Sequence, residues 1–228
     1  MRKHLIQCAA LALLLNGCSQ TGQPLQPSAS VQTTSSQLDQ KLSSHKFDGQ
    51  TAHVQFNTEV NGTTIAAAFF GNHVKDKSTV SGNNKFDFGI VGIFQQETAN
   101  PDHVLMQTFA FVDNLQGFEI NGSSTSASLN TTVSVFNNAD GTTVPVTLAL
   151  NFQTTGEVLN DTSSRQKFRF GDSTFLTSFK ELTTIASVRG TASWRAGGVT
   201  TTINAPLANG DTFATLDSTI SVDRFSSK

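Results

Sequence analysis

"AHVQFNTEV", Ala52 to Val60, decides the fold class. Val54, Phe56, Thr58 and Val60 alternate with His53, Gln55, Asn57 and Glu59, the two-residue period of a strand with one face buried and one wet. Near the other end "ATLDSTISVDR" alternates in the same way, Ala214, Leu216, Ser218, Ile220 and Val222 against Thr215, Asp217, Thr219, Ser221 and Asp223. Between them lie "TTIAAAFF", "KFDFGIVGIF", "VLMQTFAFV", "TTVSVF", "VPVTLALNF", "KFRF", "TTIASVRGTASW" and "VTTTIN", rich in the threonine, valine and phenylalanine that suit a pleated surface. No segment carries a sustained helical apolar stripe. The expected class is all-β and antiparallel, and Asn61-Gly62, Asn121-Gly122 and Asp140-Gly141 read as its hairpin turns, because these residues tolerate positive φ.

Three blocks recur in the same order. "NGTTIAAAFF" from Asn61 matches "DGTTVPVTLAL" from Asp140, "KFDFG" from Lys85 matches "KFRFG" from Lys167, and "SASLNTTVSV" from Ser126 matches "FATLDSTISV" from Phe213. This reads as a duplicated unit, the first copy spanning about 52–137 and the second about 138–225. "TTVSVF" runs into "TTVPVTLAL" through a short turn, so the copies are expected to share one core in a single domain, residues 46–228. The expected architecture is a barrel or sandwich of about 10 strands with pseudo-twofold symmetry, closed by the last strand lying beside the first.

The N-terminus has a different character. Arg2, Lys3 and His4 precede a mostly apolar run, Leu5 to Leu15, and then comes "LNGC" with Gly17 before Cys18. A basic start, a short apolar core and a small-residue cleavage site make a secretory signal over residues 1–17, shorter than the about 20 residues of a bilayer span. The "LNGC" ending resembles the lipobox of bacterial lipoproteins, which implies cleavage before Cys18, acylation of its sulfur and a membrane anchor. The cell envelope, on its extracytoplasmic side, is the expected location, with the outer membrane applying in a Gram-negative cell. Cys8 would leave with the signal, so the mature chain would hold Cys18 alone and no internal disulfide. Residues 18–45, rich in Ser, Thr, Gln and Pro, read as a flexible tether. Losing Arg2 and Lys3 leaves 13 basic against 17 acidic residues, which argues against nucleic acid as a partner.

The half from about Val144 to Val222 resembles a family of secreted bacterial all-β proteins of unknown function, through "VTLALNFQTTGEV", "KFRF", "VRGTAS" and a closing "ISV" strand. That resemblance implies no activity. "FRFGDSTF" is similar to the first block of GDSL-type esterases, with Ser173 in the nucleophile position, yet no histidine follows His103 to act as its base. Ser43 and Lys46 fit the S-x-x-K spacing of penicillin-recognising enzymes without the "KTG" that should follow. His45, His53, His73 and His103 show no metal-ligand spacing and read as exposed, and Asp76, Asp102 and Asp113 form no calcium loop.

The one binding candidate is a cationic strand face, Arg165, Lys167 and Arg169, with Phe168 and Phe170 on the other side. Eighteen phenylalanines without a tyrosine read as a Phe-packed core. The function expected is therefore that of a membrane-anchored, non-enzymatic binding or interaction module without cofactor, metal or catalytic residue. Its partners would be the membrane through Cys18 and an envelope protein, polysaccharide or lipid. The rival readings are a barrel around a small apolar ligand and an unrecognised hydrolase.

Overall fold

The computed structural model describes residues 43–78 and 82–227. The signal segment, Cys18 and most of the expected tether lie outside the described residues. The described residues form ten strands: β1 (Ser43–Val60), β2 (Thr63–Ser78), β3 (Gly82–Glu97), β4 (Val104–Asp113), β5 (Phe118–Ile120), β6 (Ser126–Phe136), β7 (Thr143–Phe170), β8 (Ser173–Ala196), β9 (Val199–Ala205) and β10 (Asp211–Ser227). All pair antiparallel in one sheet of order β4-β3-β2-β1-β10-β8-β7-β6-β5, with β9 alongside β8. The all-β antiparallel class read from the alternation is the one observed. The expected tether runs three residues too far, since Ser43 to His45 already pair with β10.

The first and last strands do lie side by side, from Ser43↔Phe225 to Asn57↔Asp211. Their pairing does not close the sheet as expected, because it falls in the middle of the strand order and leaves β4 and β5 as its two ends. The β4 end is met by a turn in place of a strand. Asn137 Oδ1 accepts from the Gln107 amide at 2.9 Å, and Asn137 Nδ2 donates to the Leu105 carbonyl at 3.0 Å. Side chain and backbone thus satisfy edge groups that a closed barrel would pair.

The sheet bends over itself, and one buried cluster draws on both of its halves. Val54, Phe56, Ile65, Phe69 and Met106 from β1, β2 and β4 share it with Leu129, Leu148, Leu150, Trp194 and Ile203 from β6 to β9. Each such side chain contributes about 1.5–3 kcal/mol by leaving water. A buried polar bridge crosses this core: Trp194 Nε1 donates to Gln95 Oε1 at 2.7 Å, and Gln95 Nε2 donates to Thr63 Oγ1 at 3.0 Å and Thr201 Oγ1 at 2.9 Å.

Of the three expected turns only Asn61-Gly62 is a tight two-residue link, with φ of 50° and 71° as a type I′ turn requires. Asn121-Gly122 and Asp140-Gly141 sit in wider loops. The matched blocks take mixed places. Thr63 and Thr143 each open the second strand of a hairpin, whereas "KFDFG" lies in β3, after its turn, and "KFRFG" ends β7, before its turn.

Candidate functional site

Beyond the core the sheet continues as a wing of six adjacent strand segments, from β3 through β2, β1, β10 and β8 to β7. Residues directly opposite in an antiparallel pair share a face, so the register sorts every wing side chain. The row beyond the core reads Asp87, His73, Gln50, Ser218, Leu182 and Asp161. The next row on this face reads Lys85, Lys75, Asp48, Ile220, Lys180 and Ser163, and the one after it Asn83, Lys77, Lys46, Val222, Ser178 and Arg165. Arg224, Leu176 and Lys167 follow, then Thr174 and Arg169.

This face, continuous with the core face, therefore collects nine cations, Lys46, Lys75, Lys77, Lys85, Arg165, Lys167, Arg169, Lys180 and Arg224, against Asp48, Asp87 and Asp161. The proposed trio Arg165, Lys167 and Arg169 is its outer strand. Lys75 lies opposite Lys85, and Lys46 opposite Lys77. Like charges placed so repel and destabilise a strand pair. Among the described residues the lysines and arginines of this face form one ion pair, Lys46 Nζ to Asp48 Oδ2 at 3.7 Å.

Among the described residues the reverse face of the wing carries no lysine or arginine. It holds Asp76, Glu181, Asp217 and Asp223 among phenylalanines. The Phe-packed core expected from composition is corrected here. The buried cluster takes Phe56, Phe69, Phe118 and Phe152. Phe47, Phe70, Phe86, Phe88, Phe175, Phe179, Phe168, Phe170, Phe213 and Phe225 line the reverse face instead. Several stay exposed, Phe170 to 72% and Phe86 to 46%.

The histidines are not the uniformly exposed set expected. His73 sits inside β2 and meets Asp87 through Nδ1 at 2.6 Å. His45 meets Asp76 through Nε2 at 2.6 Å on the opposite face, and His103 meets Glu97 at 2.9 Å in the β3–β4 connection. His53 is largely buried and stacked on Phe70. The four do not converge on one cluster. Ser173 opens β8 directly after the Gly171-Asp172 turn, which is a hairpin link. Ser43 and Lys46 lie on a strand with their side chains on opposite faces, away from any helix start.

Side chains of both halves pack together in one buried cluster. An open groove of about 690 Å³ lies elsewhere, on the solvent side of β5 to β8, with Glu119, Ile120, Asn121, Asn151, Gln153 and Arg189 along it.

No protein family model matches the chain, and no curated protein does. Among solved structures, an acetoacetate decarboxylase-like enzyme from Sphingomonas wittichii RW1 is similar at a TM-score of 0.28 and 6% identity, over 84% of this chain and 93% of that one.

Proposed function

We propose that the protein is a lipid-anchored extracytoplasmic binding module that holds an extended anionic polymer, a polysaccharide bearing carboxylate or phosphate groups, on the basic face of its wing. The carrying observation is that face itself, with cations from six strands on one side of a sheet and like charges directly opposed. Asp48 stands opposite Lys75 on β1, but Lys85 and Lys77 have no carboxylate directly opposite in a paired strand, where a fold under selection for stability alone would place one. The array extends about 24 Å across five strand spacings, the dimension of a chain of several charged units and not of a single phosphate. The anchor is Cys18, in the lipobox setting given above.

The basic face favours this reading over the two rivals: the buried cluster packs side chains of both halves together, and the pairs His45–Asp76, His73–Asp87 and His103–Glu97 stand at three separate places.

Calorimetric titration with polygalacturonate tests the binding reading. Binding should weaken steeply as salt rises, because exposed charges are screened. The variant Lys75→Gln/Lys85→Gln/Lys180→Gln should bind about tenfold or more weakly, at roughly 0.5 kcal/mol or more per lost charge contact. Heat-free titration, or a variant that binds like the parent, would overturn it. Intact mass of the mature protein tests the anchor: an unmodified Cys18 would refute it.

A further inference from the structure

The chain enters the fold at the tip of the wing. Ser43 pairs with Phe225, Phe225 with Phe175, and Phe175 with Phe168, so one row of the reverse face at the tip holds three phenylalanines. Phe170 stands one row further out, beside the Gly171-Asp172 turn. The Phe168 and Phe175 rings stack at 6.4 Å, and Phe168, Phe170 and Phe225 are 43%, 72% and 42% exposed. The opposite side of the same tip bears Lys167, Arg169 and Arg224.

We infer that this tip rests in the headgroup layer of an anionic bilayer, with the exposed phenylalanines at the acyl boundary and the cations on lipid phosphates. The inference rests on the reading of Cys18 as the anchor. In the sequence residues 19–42 lie between Cys18 and Ser43, the first described residue of the tip. The tip is therefore the part of the domain that an anchor at Cys18 holds nearest the membrane. Apolar rings flanked by cations are the pairing that binds an interface by burial and by attraction to anionic lipid together.

The experiment uses the mature chain, residues 18–228, carrying Cys18→Ser, which removes the signal segment and any acyl anchor, with Phe170→Trp as reporter in addition to the buried Trp194. Vesicles of equal parts phosphatidylglycerol and phosphatidylcholine should shift the indole emission to shorter wavelength, and brominated lipid should quench it. Phe168→Ser/Phe170→Ser in the Cys18→Ser chain should lose about tenfold or more in vesicle affinity, the cost of leaving one large apolar side chain in water. Arg195→Gln, on β8 outside the wing, should sediment with vesicles as the Cys18→Ser parent does. An emission unchanged by vesicles, or a double serine variant that still co-sediments, would overturn the inference. Failure of the anchor reading is separately visible, as an unmodified Cys18 in the native protein.

Discussion

Replacing His53 by phenylalanine should remove a large part of the acid sensitivity of the fold. The imidazole stacks on Phe70 at 4.1 Å with the planes 11° apart, and meets Phe213 edge-on at 6.4 Å. Among the described residues its Nε2 is buried without a hydrogen-bond partner. A proton added there would create a cation between two apolar rings, and burial accordingly lowers the pKa from 6.5 to about 4. In the unfolded chain the same imidazole protonates near pH 6.5, so between pH 6.5 and 4 the unfolded state binds more protons than the folded one. The stabilising effect is complete above pH 6.5 and is lost as pH falls towards 4. The gap corresponds to about 3 kcal/mol when fully lost, and to about 2.5 kcal/mol at pH 4.5. Asp217 acts with the opposite sign. Burial raises its pKa and Glu181 adds to this, against hydrogen bonds from Thr183 and Thr215, so its contribution grows as pH falls. Parent and His53→Phe must therefore be compared at each pH by urea unfolding. At pH 7 they should differ by about 1 kcal/mol or less, the ring being a shape-conserving replacement. At pH 4.5 the variant should be the more stable by about 2 kcal/mol. Equal losses in the two proteins between pH 7 and 4.5 would refute the reasoning.

Gln95→Leu should cost about 3 kcal/mol, since it leaves the Trp194 N–H buried without an acceptor and removes two further hydrogen bonds. Scanning calorimetry should show a fall in Tm of about 6–12 °C, and Gln95→Leu/Trp194→Phe should lose less than the two single variants summed. Gly190→Ala should destabilise by about 3 kcal/mol or more. Its φ is 125°, and a Cβ there would lie 1.9 Å from the Ala149 carbonyl oxygen, so urea midpoints should drop sharply.

The fold class was legible because alternation reports burial directly. The predicted core face of "AHVQFNTEV" is the buried one at Val54, Phe56 and Thr58. The extent of β7 was not legible. Between the strand-like runs "VPVTLALNF" and "KFRF" no alternation is visible, yet Val158 to Gln166 pair with β8 along one side alone and stay largely exposed. A strand that buries neither face leaves no period in its sequence. The site was legible only at Arg165, Lys167 and Arg169, where the spacing lies within one strand. Lys75 opposite Lys85 and Lys46 opposite Lys77 depend on register, which no local pattern encodes. The net charge of −2 hides the array further, because the acids lie on the reverse face and on loops.

One irregularity decides which side of the wing is cationic. Along the start of β7 the even residues Val144, Val146, Leu148, Leu150 and Phe152 face the core. From Thr154 to Asn160 the strand advances six residues while β8 retreats three, from Ala186 to Thr183, so the parity of β7 reverses. The odd residues Arg165, Lys167 and Arg169 then share the face of Lys180 and Lys75, and Phe168 and Phe170 join the phenylalanines opposite. With Leu159 paired in step instead of bulged out, Lys167 and Arg169 would join Phe175 and Asp223 on the reverse face, and Phe168 and Phe170 would take their places beside Arg224. Deleting Leu159 takes out the extra residue and joins Val158, opposite Thr184, directly to Asn160, opposite Thr183, so every later pair and its face are kept. The shortened protein should therefore retain both polygalacturonate binding and the vesicle response, Leu159 being exposed and part of neither surface. If both responses are lost in a shortened protein that still unfolds cooperatively, pairing with β8 is not what sets the cationic side of β7.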